Sequence, residues 1–124
     1  MSYRILSIDD SKAVHAFLKQ CLSDQPCVLS FAHDGEHGVE TVSQNAATPF
    51  DLIILDWEMP KLTGPEVFDK LKAAGITSPV IMLTSKNDLS DITTMIEKGV
   101  ADYMMKPFTK DILIDKIRMV LPEF

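Results

Sequence analysis

The fold this sequence predicts is an α/β domain on one parallel five-stranded sheet, and three observations predict it. Short apolar runs alternate with helix-compatible segments from one end of the chain to the other. The runs are almost unbroken by polar residues, as parallel strands covered on both faces require. The chain has 124 residues, 46% of them hydrophobic and 24% charged, with no internal repeat, low-complexity tract or linker. That is ordinary material for a single domain over 1–124 with its own core.

Taken in order, the first strand is Tyr3–Ile8. Ala13, Val14, Phe17, Leu18, Cys21 and Leu22 then recur at helical spacing, with Ser11 placed as an N-cap. Cys27–Ala32 is the second strand, and Glu36–Gln44 is a less apolar helix. Leu52–Leu55 follows as the third strand. Phe68 and Leu71 carry the next helix, which Pro65 can open and Gly75 can close. Val80–Leu83 is the fourth strand, Ser90–Glu97 a helix with Gly99 as its stop, and Tyr103–Met105 the last strand. Leu113, Ile117, Val120 and Leu121 trace a final helix that ends before Pro122. Strands alternating with helices in this way imply right-handed crossovers.

Eighteen acids against twelve bases leave a formal charge of −6, which argues against this domain gripping nucleic acid directly. No apolar run reaches the length of a membrane span, and Met1-Ser2-Tyr3-Arg4 lacks a signal-peptide core, so a cytoplasmic location is expected. Cys21 and Cys27 form no metal pattern and read as buried reduced thiols, with a redox pair as the weaker alternative. His15, His33 and His37 read as surface or helix-end residues. The four-residue spacing of His33 and His37 could suit a metal, but no third ligand lies near in sequence and Gly35 interrupts the helix. The seven methionines read as core filler apart from Met105, and Phe31, Phe50 and Phe68 as core.

In an open parallel sheet, ligands sit beyond the carboxyl ends of the strands. Those ends carry Asp9 and Asp10, then Asp56 with Trp57-Glu58-Met59-Pro60, then Thr84-Ser85, then Lys106-Pro107. Each has an ordinary explanation alone: Asp10 can cap a helix, Thr84 can be a strand residue, and Lys106 can be a solvated charge. Together they need compensation, because two like charges about 4 Å apart repel by roughly 4 kcal/mol at an effective dielectric of 20. A divalent cation supplies it, and magnesium suits oxygen ligands best. A carboxylate beside magnesium and a lysine can attack phosphorus, giving an aspartyl phosphate, with Mg2+, Lys106 and Thr84 neutralising the phosphoryl oxygens.

These residues resemble the receiver domain of two-component response regulators, most closely the single-domain chemotaxis type. The resemblance covers essentially the whole chain. It rests on Ile8-Asp9-Asp10-Ser11, on Leu55-Asp56-Trp57-Glu58-Met59-Pro60 with Gly64, on Leu83-Thr84-Ser85, and on Lys106-Pro107-Phe108. It implies a doubly wound, flavodoxin-like sheet in strand order 2-1-3-4-5, flanked by five helices. It further implies Asp56 as phosphoacceptor, Asp10 and Asp56 as direct magnesium ligands, Asp9 acting through water, and the Glu58 carbonyl as a further ligand. Lys106 matches the family's lysine, Thr84 its switch hydroxyl and Tyr103 its switch aromatic, and Pro107 is expected to follow a cis bond.

The implied function is a phosphorylation switch rather than an enzyme. A histidine kinase or histidine phosphotransfer protein would donate the phosphoryl group to Asp56. The surface of helix 4, strand 5 and helix 5, where Ile96, Tyr103, Met105 and Lys116 cluster, would then engage a downstream protein. Met105 and Ile96 are its candidate apolar anchors, with core burial as the alternative for Ile96. Glu58 and Lys86 depart from the best-known chemotaxis version, which has an amide and an acid there, and Ser85 is bulkier than usual; these bear on phosphate lifetime and pocket access. Three alternatives stand beside this reading. The chain can be the amino-terminal receiver of a longer regulator with a DNA-binding or enzymatic output domain. An aspartate-nucleophile phosphatase would want a second Asp two residues after Asp56, where Glu58 stands. A flavodoxin-like cofactor binder would want a hydroxyl- and glycine-rich loop, where Asp9-Asp10 stands.

Overall fold

The computed structural model describes residues 2–85 and 88–124. Its strands are β1 (Tyr3–Ile8), β2 (Cys27–Ala32), β3 (Leu52–Asp56), β4 (Val80–Thr84) and β5 (Asp102–Met105). They alternate with helices α1 (Lys12–Cys21), α2 (Gly35–Gln44), α3 (Gly64–Ala73), α4 (Leu89–Lys98) and α5 (Lys110–Val120). All strand pairs are parallel, and the sheet order is β2-β1-β3-β4-β5, as the resemblance implies.

Alternate residues of a strand face opposite sides of the sheet, and the core divides accordingly. Leu6, Ile8, Ile53, Leu55 and Met82 pack on one face with Val42 of α2, Val67, Phe68 and Leu71 of α3, and Met95 of α4. Ile5, Leu52, Ile54, Ile81 and Leu83 pack on the other with Leu18 and Cys21 of α1 and with Leu113, Ile114 and Ile117 of α5. Every residue of β3 and β4 is buried, which accounts for their lack of apolar–polar alternation. Both strands run one residue past the apolar stretch. Asp56 stays in register with Leu83, and Thr84 with Met105, because a ladder is bonded through the backbone and a polar side chain does not end it.

Local chemistry sets the turns that frame this edge. Ser11 caps α1 by accepting from the Val14 N–H at 3.2 Å. Thr63 and Glu66 form a reciprocal capping box at the start of α3. Gly64 follows, and a Cβ there would fall 2.5 Å from the Asp56 carbonyl and 2.8 Å from Trp57 Cα. Only glycine lets α3 start so close to the end of β3. Gly99 ends α4 in the left-handed region, at φ 116°. The Lys106–Pro107 bond is cis.

Several expectations need correction. His15 is buried, not a surface residue: α1 turns His15, Leu18 and Cys21 inward and leaves Ala13 and Phe17 outside the seam. Phe31 is only half-buried, on the edge strand β2, with its ring 4.6 Å from that of His15. Gly35 does not interrupt α2 but forms its first residue, with Asp34 as the cap. Cys27 is half-buried, while Cys21 is buried, and both are free thiols. Met119 is exposed on α5, so it fills no core.

Candidate functional site

Parallel pairing brings the carboxyl ends of β1, β3, β4 and β5 to one edge of the sheet. The Asp9 N–H donates to the Ala32 carbonyl, the Trp57 N–H to Leu83, and the Lys106 N–H to Thr84. The backbone therefore holds each residue next to the site in place before any side chain contributes.

The structure brings Asp9, Asp10, Asp56 and Lys106 together, as expected from the strand ends. Lys106 Nζ donates to Asp56 Oδ1 at 2.8 Å and lies 3.5 Å from Asp9 Oδ2, an ion pair without a hydrogen bond. Asp9 Oδ1 accepts from the Ser11 N–H at 2.8 Å, which ties the acid to the start of α1. Asp9 and Asp56 are each 1% exposed, whereas Asp10 is exposed. One carboxylate oxygen from each of the three acids lies within 4.8 Å of the others.

Three carboxylates face one ammonium, and the crowding shows in the proton affinities of Asp56 and Lys106. Burial pushes Asp56 up to about 7; the Asp9 charge adds to the rise, while the Lys106 hydrogen bond and charge oppose it. Burial alone would lower Lys106. Its hydrogen bond to Asp56 and the charges of Asp9, Asp56 and Glu58 outweigh burial and raise it. Oδ2 of Asp9 and Oδ2 of Asp56 are both buried without a hydrogen-bond partner. Asp9 Oδ2 has the Lys106 charge 3.5 Å away, whereas Asp56 Oδ2 has no hydrogen bond to offset its burial, which is costly unless a cation takes it. An all-oxygen set with orphaned anionic atoms fits a hard divalent ion such as Mg2+.

Thr84 and Glu58 occupy the neighbouring corner. Thr84 is fully buried, and its hydroxyl donates to Glu58 Oε1 at 3.0 Å. The same oxygen accepts from the Ser85 N–H at 3.3 Å and the Ser85 hydroxyl at 3.1 Å. Glu58 thus bridges the loops after β3 and β4, an engagement of Thr84 and Ser85 that sequence reasoning missed. Lys86, its expected neighbour, lies outside the described residues.

Farther along β5, Tyr103 is half-buried, with Lys116 Nζ 5.0 Å above its ring. Lys116 also bonds the Asp102 carboxylate at 3.1 and 3.2 Å. Ile96 is 41% exposed, which resolves it as a surface residue, and Met105 is half-buried. Beside Lys106 the structure also opens an apolar groove of about 450 Å³, lined by Ala13, Val14, Phe17, Lys106, Pro107 and Phe108. The apolar Ala13 and Phe17, counted above with the α1 core, were its sequence signal.

Comparison with known proteins agrees with this geometry. Residues 5–118 match the family model described as the response regulator receiver domain. The chain is 36% identical over 121 residues to response regulator MprA of Mycobacterium tuberculosis, covering 98% of this chain and 51% of that protein. It is 32% identical over 116 residues to the transcriptional regulatory protein DltR of Streptococcus agalactiae, covering 94% and 50%. The chain thus spans about half the length of these curated relatives. Among solved structures, the Francisella response regulator 1452 receiver domain superposes with a TM-score of 0.88 at 27% identity, covering 98% of each chain.

Proposed function

The chain belongs to the response regulator receiver family, and from that premise we propose that it is a switch thrown by phosphorylation of Asp56. The observation that carries the reading is the buried Asp56 carboxylate, with one oxygen on Lys106 at 2.8 Å and the other without a hydrogen-bond partner. The free oxygen is the nucleophile. It attacks the phosphorus of a phosphohistidine on a histidine kinase or phosphotransfer protein. The O–P bond forms as the P–N bond breaks, and the departing imidazole keeps the electron pair and takes up a proton.

Asp10 and Asp56 would hold Mg2+ directly, Asp9 through water, and the Glu58 backbone carbonyl would complete the protein's share. When bound, the ion neutralises phosphoryl charge and draws Asp56 into its anionic form. Lys106 neutralises a further phosphoryl oxygen. Thr84 leaves Glu58 and donates to the remaining one. The apolar groove beside Lys106 gives the donor protein a surface to rest on while its imidazole reaches Asp56.

Output follows from Thr84 and Tyr103, and the surface it alters is that of α4, β5 and α5. The product is a signalling state, so the domain is not an enzyme in the ordinary sense. Its net charge of −6 supports a protein rather than a nucleic acid as its direct partner. Among the described residues no helix is long and apolar enough to cross a membrane, which accords with action in the cytoplasm.

Incubation with Mg2+ and acetyl phosphate, followed by mass spectrometry of the peptides, tests the assignment. One phosphoryl group on the peptide containing Asp56 is expected. An unmodified protein, or label elsewhere, overturns it.

The half-length coverage of the relatives favours a second reading, in which this domain controls an output domain of a longer regulator. The intact mass of the protein from its native source distinguishes the two.

A further inference from the structure

His33 and His37 lacked a third ligand in the sequence, and the fold supplies one. The His15 ring lies 5.5 Å from that of His33, which lies 5.7 Å from that of His37. Three elements contribute: α1 carries His15, the turn after β2 carries His33, and the first turn of α2 carries His37. His15 is 6% exposed, and its Nε2 is buried without a hydrogen-bond partner. A buried ring nitrogen in that condition is costly, and a metal ion would satisfy it. His33 and His37 are exposed, and one 3.2 Å hydrogen bond, from the His33 N–H to His37 Nδ1, holds the His37 ring.

We propose that His15, His33 and His37 form a site for one divalent transition-metal ion such as Zn2+, separate from the carboxylate cluster. Zn–N bonds of about 2.0–2.1 Å in tetrahedral geometry put ligand ring centres roughly 5 Å apart, close to the two spacings found. Among the described residues, only the three carboxylates already have ligand atoms within 4.8 Å of one another. The histidines therefore close by rotation of His33 and His37 about the fixed His15. Rotamer changes of exposed side chains are fast. The rotation gives up one weak contact, the 3.2 Å hydrogen bond from the His33 N–H to His37 Nδ1.

The donor set separates the two sites chemically. Imidazole suits zinc, copper and nickel, whereas carboxylates and water suit magnesium. Burial holds His15 below the ordinary imidazole range, with His33 lowering it further and Asp9 and Asp10 opposing, so this ring is ready to coordinate without first losing a proton.

The test is a titration of the untagged chain with Zn2+ in excess Mg2+, read by competition with a chromophoric chelator. One Zn2+ per chain is expected, with Asp56→Asn binding as wild type. His33→Ala and His37→Ala should each lose the bound ion, and both positions are exposed, so circular dichroism should show an intact fold. Co2+ in place of Zn2+ should give the visible absorption of a nitrogen-ligated tetrahedral ion. Binding that persists in His33→Ala and His37→Ala, that is lost in Asp56→Asn, or that is absent from wild type overturns the site.

Discussion

The Thr84 hydroxyl donates to Glu58 Oε1 at 3.0 Å, and two further donors from Ser85 converge on that oxygen. The side chain proposed to read the phosphoryl group is therefore engaged by a carboxylate. On the proposed reading Glu58 would oppose modification twice: it would repel an incoming anion, and its hydrogen bond would have to break before Thr84 could turn. With phosphate in place, the same side chain would stand beside the pocket an attacking water enters.

Replacing Glu58 by Ala should therefore speed both phosphorylation by acetyl phosphate and loss of the phosphate. A hydrogen bond to a charged carboxylate contributes about 1.5–3 kcal/mol, so an effect of roughly tenfold or more in rate is expected. Stopped-flow labelling followed by decay after donor removal measures both. Unchanged rates, or a longer-lived phosphate, would remove Glu58 from the mechanism.

Asp56→Asn should abolish labelling while keeping the fold, because the amide is nearly isosteric and cannot attack phosphorus. Its stability should also carry a signature in pH. Burial raises the folded-state proton affinity of Asp56 to about 7, from 3.8 for the ordinary side chain. The stability contributed by that proton is present below the ordinary value and is lost as pH rises through 7. Without divalent ions, the urea midpoint of Asp56→Asn should exceed that of wild type at pH 8 by more than it does at pH 5. Saturating Mg2+ should narrow the gap. A gap that is constant with pH would mean that Asp56 is not strained by its surroundings.

The strand ends were the most legible part of the molecule, and for a topological reason. Once five short apolar runs alternate with helices, parallel pairing has to gather Asp9, Asp56, Thr84 and Lys106 on one edge. What stayed hidden depends on rotation about an axis or on loop conformation. Helical periodicity gave α1 an apolar stripe but could not tell whether Phe17 or His15 would face inward; the inward seam took the histidine. The Glu58–Thr84 bond joins residues 26 apart in sequence through two irregular loops, and no periodic pattern records such a contact.

Trp57 follows Asp56 directly in the chain and is 9% exposed, packed in the core just beyond the end of β3, so its indole can report on changes at that strand end. Its fluorescence should change as millimolar Mg2+ is added and change again on phosphorylation. The first change should vanish in Asp10→Asn, whose exposed carboxylate can be neutralised with little effect on the fold. A flat titration of the wild type, or an unaltered one in the variant, would count against a magnesium site at these acids.

Lys106→Ala should still accept some phosphate, since the nucleophile remains, but more slowly. The loss removes the ammonium 2.8 Å from Asp56 Oδ1 and the charge that would read the new phosphoryl group. Amide chemical shifts of Ile96, Tyr103 and Met105 should move on phosphorylation of wild type and stay near their unphosphorylated positions in the phosphorylated variant. Wild-type shifts in that variant would assign the readout to other residues.

Thr84→Ala separates acceptance of the signal from its transmission. Thr84 ends β4 in register with Met105, two residues beyond the Met82–Tyr103 pair, so it is bonded through the ladder to the strand that carries Tyr103. The Tyr103 ring is half-buried, packed partly against the core and partly under Lys116, 5.0 Å above it. An aromatic held between core and solvent has two places to go, and a hydroxyl that withdraws toward the phosphate opens the inward one. Such a switch needs two packings of similar energy that phosphate biases, and the bias is the coupling free energy, typically about 1–3 kcal/mol. The alanine variant keeps Asp56, Lys106 and the three acids, so labelling should remain measurable. Its phosphorylated form should populate the inward Tyr103 packing less than phosphorylated wild type, with the amide shifts of Tyr103 and Met105 stopping partway. Urea stability should stay near wild type, which separates loss of coupling from loss of fold. Full wild-type shifts in the phosphorylated variant would show that the phosphate reaches β5 by a route that bypasses Thr84.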